Sequence, residues 1–260
     1  MTTQPVLHAT DLAKHYGRFV AVQNIDLQIM PGTIHSVIGP NGAGKTTLFH
    51  VLTGTVAATR GQILFQGQNI TRLPDYRRVQ QGMARSFQVT SLFAGLSVRE
   101  NIRLATQGTK PGQAFNMWEG IQGRLGQHDW IDHILAQIDL RHMHHVAAGM
   151  LAHGQQRRLE VGMALAARPT IIFLDEPTSG MGIDDIDQMK ALIHGLKQQF
   201  TIVLIEHNMG IVMDISDTIT VMQNGRVLVE GPPDSIRHDE RVKQAYLGNM
   251  VTGGAQHATG

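Results

Sequence analysis

A chain of 260 residues with a net charge of +1 and no cysteine excludes several classes of function at once. The near-balance of charge leaves no basic field for nucleic acid, and the lack of cysteine removes disulfides and thiol chemistry. An apolar fraction of 42 % supports a sizeable globular core, as one large domain or two small ones.

Met1-Thr2-Thr3-Gln4-Pro5 carries neither the basic nor the apolar segment of a signal peptide, so none is expected. No apolar run approaches the length of a membrane span. Work at a membrane is therefore expected to pass through a partner. Val6-Leu7-His8-Ala9-Thr10-Asp11-Leu12 reads as a first strand, interrupted at Tyr16-Gly17, with extended structure resuming over 19–29. Asp26-Leu27-Gln28-Ile29 alternates as a half-buried strand does. Pro31-Gly32 is a turn that leads into a strand over 33–38.

Next comes Gly39-Pro40-Asn41-Gly42-Ala43-Gly44-Lys45-Thr46-Thr47, which fits G-x-x-x-x-G-K-[ST], followed by a helix that stops at Gly54. Strand, loop and helix are the setting this phosphate-binding pattern requires. Its glycines let backbone amides wrap an anion, and the helix N-terminus adds a favourable dipole. Lys45 is expected to reach the β- and γ-phosphates and Thr46 to give an oxygen to Mg²⁺. Residues 61–67 read as another short strand, giving an antiparallel layer beside the loop.

A short polar helix is expected over 74–81, ending at Gly82, after which 83–87 enter the core. Ser97 with Glu100 forms a capping box that starts a helix over 98–106. Residues 107–127 hold several glycines without a clear period and read as loop-rich. Trp130, Ile131, Ile134, Leu135 and Ile138 share one face of a helix over 129–140. A further helix spans 155–167, and the apolar run 170–174 reads as a strand buried on both faces. A helix over 184–199, a second buried strand over 201–205 and a short helix over 208–216 follow. Asn224-Gly225 is a hairpin turn between strands at 218–222 and 226–229. Strands alternating with helices give an α/β core with a parallel sheet.

Chemistry is expected where the buried strands end. Asp175-Glu176 is a carboxylate pair at such an end, and burying two acids without a cation is costly. Mg²⁺ beside a phosphate supplies that cation, with Asp175 on the metal side and Glu176 facing the attacking water. Glu206-His207 ends the next strand in the same way, so His207 is placed to reach a phosphate oxygen or the water.

In order, these motifs resemble the nucleotide-binding subunit of an ABC transporter. They are the phosphate loop, Ser86-Phe87-Gln88, Leu151-Ala152-His153-Gly154-Gln155-Gln156-Arg157-Arg158, Leu174-Asp175-Glu176-Pro177-Thr178-Ser179-Gly180, and Glu206-His207. The resemblance implies a P-loop NTPase core with a mainly parallel sheet, an N-terminal antiparallel β layer and a helical subdomain. It divides one ABC ATPase domain into a core of 1–88 and 153–250, an inserted helical part at 89–152, and a flexible tail at 251–260. It also implies roles: Tyr16 stacks on adenine, Gln88 touches Mg²⁺ and water, and Glu176 is the catalytic carboxylate. His207 becomes the switch histidine, and Leu151, Ala152, His153, Gly154 and Gln155 bind the γ-phosphate of ATP held by a second ATPase subunit.

Two motifs depart from the family pattern. The signature serine and its first glycine are Ala152 and His153, and Gly182 stands where the loop after the catalytic glutamate usually has an aspartate. Arg85-Ser86-Phe87-Gln88 with Leu92-Phe93, the Leu151–Glu160 stretch and the tail Arg241-Val242-Lys243-Gln244-Ala245-Tyr246-Leu247-Gly248 are similar to ATPases of branched-chain amino-acid uptake. That subgroup implies ATP-driven import, two membrane permeases, a substrate-binding protein, and a peripheral place on the cytoplasmic face of the inner membrane. Related systems for urea or amide import or lipopolysaccharide extraction, and a soluble non-transport ABC ATPase, stand as alternatives.

Overall fold

The computed structural model describes residues 4–86, 92–107 and 121–252. Met1–Pro74 with Thr201–Gly260 form one compact unit and Asp75–Phe200 the other.

In the first unit, β1 (Leu7–Tyr16) and β2 (Phe19–Ile29) form a long antiparallel pair. β1 also pairs with β4 (Arg60–Phe65), and β4 with the short β5 (Gln68–Asn69), giving the four-stranded order β2-β1-β4-β5. The alternation read from the sequence is visible in burial: Ile25, Leu27 and Ile29 are buried and the residues between them are not. β1 runs further than expected, because Tyr16 still pairs with Phe19 across the turn.

β3 (Ile34–Ile38) is buried along its whole length and lies parallel to both β8 (Thr201–Ile205) and β9 (Thr218–Gln223). A strand flanked on both edges and covered on both faces favours the near-continuous apolar run that β8 shows; in β3 the buried His35 and Ser36 interrupt it and are paired with Thr220 and Ser216. β10 (Arg226–Gly231) closes a hairpin with β9, and Asn224 and Gly225 adopt φ 50° and 75° in its turn, as the Asn-Gly pair predicts.

α1 (Lys45–Thr53) leaves β3 through the phosphate loop and ends on Gly54 at φ 84°. α7 (Met209–Ile215) is capped by Asn208, whose Oδ1 accepts from the amides of Gly210 and Ile211. Two helices not expected from the sequence follow β10: α8 (Pro233–His238) and α9 (Glu240–Thr252). Val242 and Tyr246 of α9 pack into a cluster with Ile38, Val212, Ile219, Val221 and Ile236. The last residue of β3 is therefore buttressed by the carboxy-terminal helix.

The second unit opens with α2 (Asp75–Gln80) and β6 (Met83–Arg85), which lies parallel to β7 (Ile171–Asp175). α3 (Val98–Gln107) begins with the expected capping box, Ser97 N–H donating to Glu100 at 2.9 Å and Glu100 N–H to Ser97 Oγ at 3.2 Å. α4 (Ile121–Gln137) starts earlier than predicted, so residues 121–127 are helix rather than loop. Gly123 and Gly126 each cost a helix about 1 kcal/mol, which the buried stripe of Ile131, Ile134, Leu135 and Ile138 outweighs by anchoring the helix downstream. The rest of that expected loop, and Gln88, lie outside the described residues.

α5 (His153–Leu165) packs on this stripe through Gly162, where a Cβ would come within 2.7 Å of Ile138. α6 (Ile183–Leu196) carries Asp184 and Asp185 in its first turn, where the helix dipole favours acids. Among the described residues no helix is long and apolar enough to cross a membrane.

Candidate active site

The phosphate loop of the first unit takes its shape from backbone crowding. Gly39 has φ +150°, and a Cβ there would come within 2.2 Å of the Met222 carbonyl oxygen on β9. Gly44 has φ +97°, and a Cβ there would meet the Ala21 carbonyl at 2.6 Å on β2. The hairpin turn closes the floor: Gly225 N–H donates to Ala43 O at 3.0 Å, and Gln23 N–H donates to Gly225 O at 2.8 Å. Only backbone without side chains fits this close to three strands.

Lys45 is buried, and its Nζ donates to the Gly39 and Pro40 carbonyls at 2.7 and 3.0 Å. The ammonium is thus held across its own loop. Thr46 is exposed and Thr47 half-buried in the first turn of α1, while Asn41 and Gly42 form an exposed tip. Loop amides, the N-terminus of a nine-residue helix and a fixed cation are the chemical elements that phosphate binding calls for.

Tyr16 stands exposed at the end of β1 with the Lys14 ammonium 4.9 Å from its ring centroid. His207 follows β8 with its side chain exposed, and its N–H donates to the buried Glu206 carboxylate at 3.2 Å. The Tyr246 phenol is pushed up to about 12 by burial and approaches the Gly39 amide, though without the geometry of a full hydrogen bond.

In the second unit, Asp175 ends β7 at 3 % exposure. The Arg85 guanidinium lies 3.5 Å from it, and Ser86 Oγ accepts from the Asp175 N–H at 3.4 Å. Burial lowers the Arg85 pKa, and the Asp175 charge works against that shift. Glu176 is half-buried with φ 47°, a left-handed turn, and its carbonyl accepts from Ser179 N–H at 3.1 Å. This strained position turns the chain sharply out of the strand.

The signature lies at the start of α5. Leu151 is buried, and Ala152 is the N-cap with no side-chain bond to offer. Gln155 compensates in part, its Oε1 accepting from Ala152 N–H at 3.0 Å. Gly154 is buried, and a Cβ there would meet the Asp185 carboxylate at 2.3–2.6 Å. His153 is exposed, with Nε2 3.2 Å from the Ser179 carbonyl oxygen.

The structure therefore gathers Gly39–Thr47 with β2, β9 and the Asn224-Gly225 turn in one unit. In the other, Asp175 ends β7 with Glu176 next to it, and the signature meets the segment after them at Ser179 and Asp185. Sequence reasoning gave no role to Arg85, Ser86 or Tyr246. Their signals were present only as membership of longer motifs, and pairing across parallel strands or against a loop has no local signature.

Comparison with known proteins agrees with this geometry. Residues 22–179 match the family model described as ABC transporter, and residues 226–251 match that of the branched-chain amino acid ATP-binding cassette transporter. The high-affinity branched-chain amino acid transport ATP-binding protein BraF of Pseudomonas aeruginosa is 37% identical over 257 residues, covering 95% of this chain and 99% of that protein. LivG of Escherichia coli, with the same description, is 38% identical over 252 residues, covering 95% and 99%. The crystal structure of the ADP conformation of MJ1267, an ATP-binding cassette of an ABC transporter, superposes with a TM-score of 0.83 at 29% identity, covering 95% of this chain and 100% of that one. The family model spans more than half of the chain and the relatives match nearly all of it, so the chain belongs to the ABC transporter family, as an ATP-binding subunit.

Proposed function

We propose that this chain hydrolyses ATP to power an importer of branched-chain amino acids. The observation that carries the substrate class is the match of residues 226–251 to the branched-chain cassette model. That segment includes β10, α8 and most of α9, the part of the chain that buttresses Ile38 before the phosphate loop.

The residues fit the nucleotide and its metal. Amides of Gly42, Ala43 and Gly44 and the Lys45 ammonium bind phosphate oxygens, and Tyr16 offers its exposed ring to the base. Asp175 is a buried carboxylate 3.5 Å from the Arg85 guanidinium, and its oxygens are hard donors of the kind Mg²⁺ takes. By the family resemblance Thr46 and Gln88 are further oxygen donors to the metal. When bound, Mg²⁺ neutralises charge on the phosphates. Glu176 accepts a proton from the attacking water, and His207 donates a hydrogen bond to the departing phosphate. Phosphoryl transfer asks mainly for positioning and charge neutralisation, which this set provides.

The signature residues 151–155 serve the ATP held by a second ATPase subunit, identical or different, and its N-terminal α5 amides remain able to bind an anion without the serine hydroxyl. Two permeases carry the substrate through the membrane, a substrate-binding protein delivers it, and the chain sits peripherally on the cytoplasmic face.

Deletion of the gene tests this. Uptake of radiolabelled leucine, isoleucine and valine is expected to fall, and to return with the parent chain but not with Lys45→Ala. Affinity purification from detergent-solubilised membranes is expected to bring down a permease. Unchanged uptake of all three amino acids, or co-purification with ribosomes or DNA instead of a permease, overturns the proposal.

A further inference from the structure

Two successive signature residues touch the segment that follows Glu176 within the same unit. His153 Nε2 lies 3.2 Å from the Ser179 carbonyl oxygen. A carbonyl only accepts, so Nε2 must carry the hydrogen. Gly180 has φ +76°, and a Cβ there would come within 3.0 Å of the same Nε2, so the imidazole rests directly on the turn. Gly154, one residue on, faces the Asp185 carboxylate in the first turn of α6. The two contacts flank Gly182.

The turn that His153 touches is hydrogen-bonded back to the Glu176 backbone. Ser179 N–H donates to the Glu176 carbonyl at 3.1 Å, and Met181 N–H donates to that of Thr178 at 3.2 Å. Glu176 itself is held at φ 47°, away from the ordinary backbone minima. A segment in such a conformation keeps it only while its surroundings fix it. His153 is exposed, so core packing does not account for its place there.

We propose that His153 is a positioning residue. Its Nε2–H fixes the turn 176–180 and so passes occupation of the signature on to Glu176 of the same subunit. The proposal rests on the roles given above to Glu176 and to the signature.

The test uses the full chain assembled with its permease subunits, and compares parent, His153→Gly, His153→Gln and Glu176→Gln. His153→Gly restores the glycine of the family pattern and removes the bond. Gln carries an amide that can donate to the Ser179 carbonyl. His153→Gly is expected to lower kcat about tenfold, the effect of one lost hydrogen bond, with KM for ATP within about twofold of the parent. His153→Gln is expected to recover most of kcat. A parental kcat in His153→Gly, a changed KM with kcat intact, or a His153→Gln as slow as His153→Gly each overturns the proposal. Glu176→Gln distinguishes the two levels. If it turns over at the parental rate, the role of Glu176 fails and the relay with it. If it is slow while His153→Gly is normal, the relay alone fails.

Discussion

The Arg85 guanidinium and the Asp175 carboxylate face each other at 3.5 Å, with Asp175 all but sealed from solvent. Removing one member of a buried pair strands the other charge, which costs about 3–5 kcal/mol. Arg85→Met is therefore expected to lower the unfolding free energy by about 3 kcal/mol in metal-free buffer, read from urea denaturation. Addition of Mg²⁺ with ATP should narrow the gap, because a second cation then faces Asp175. A gap that widens on that addition would contradict the metal-side role of Asp175.

His35 lies in the middle of β3 and is 1 % exposed. Its Nε2 is 2.7 Å from Thr220 Oγ1, whose hydroxyl donates to Glu230 at 2.5 Å. Burial lowers its pKa from 6.5 to about 4, so the ring is neutral and its 3.7 Å approach to Glu230 is not an ion pair. A histidine with a lowered folded pKa contributes stability that is complete above pH 6.5 and lost as pH falls towards 4. The loss amounts to about 3 kcal/mol at its limit. Glu230, whose carboxyl is raised by burial, works in the opposite sense and offsets part of it. Denaturation of His35→Gln in parallel with the parent, from pH 7 to about 4, should show a flatter profile in the variant.

Gly39 and Gly42 separate crowding from backbone preference. Gly39→Ala drives a methyl into the Met222 carbonyl and is expected to cost at least 1–3 kcal/mol, about the range for overpacking, and to abolish nucleotide binding. Gly42→Ala meets nothing within 4 Å at φ +79°, so only left-handed strain of about 1–2 kcal/mol applies. Nucleotide titration by fluorescence, together with thermal unfolding, reads both.

Ala152→Ser restores a side-chain N-cap to α5, at a residue whose φ −61° and ψ 156° already suit one. A gain of about 1 kcal/mol in stability is expected from chemical denaturation. If the hydroxyl also reaches the partner's nucleotide, KM for ATP falls in the assembled complex, and calorimetry on the isolated chain shows no matching change.

Glu176→Gln keeps the shape of the turn and removes the base. Binding of ATP should persist while turnover falls by about 10²–10⁴, the usual contribution of a positioned base. Single-turnover hydrolysis measured beside equilibrium nucleotide binding distinguishes this from a folding defect.

β7 and β8 were legible because they are short apolar runs bounded by turn residues, and β3 because it lies between the Pro31-Gly32 turn and the phosphate loop. The capping box at Ser97 and Glu100 was legible for the same local reason, as was the Asn224-Gly225 hairpin. The start of α4 was not, since Gly123 and Gly126 argue against helix locally while the stripe that overrides them lies downstream. α8 and α9 were missed because their burial is set by Ile38 and Val221, which are far away in sequence. At the site, Lys45, Asp175 and Glu176 announce themselves by type and position after a strand. Arg85 and His153 act through partners that are close in space only, and nothing local in the chain names Asp175 or Ser179 as those partners.

The floor of the phosphate loop has a consequence for how the protein comes into being. Ala43 and Gly44 rest against Gly225, and Gly39 against Met222, so a loop encoded early in the chain is finished by a hairpin encoded late. A nascent chain on the ribosome exposes the whole G-x-x-x-x-G-K-T pattern long before those partners emerge. Long-range closure of this kind is slow, because chain entropy is lost before the contacts repay it. Competence to hold ATP is thereby tied to synthesis of that hairpin, and a product that stops before Met222 carries the motif without the cradle.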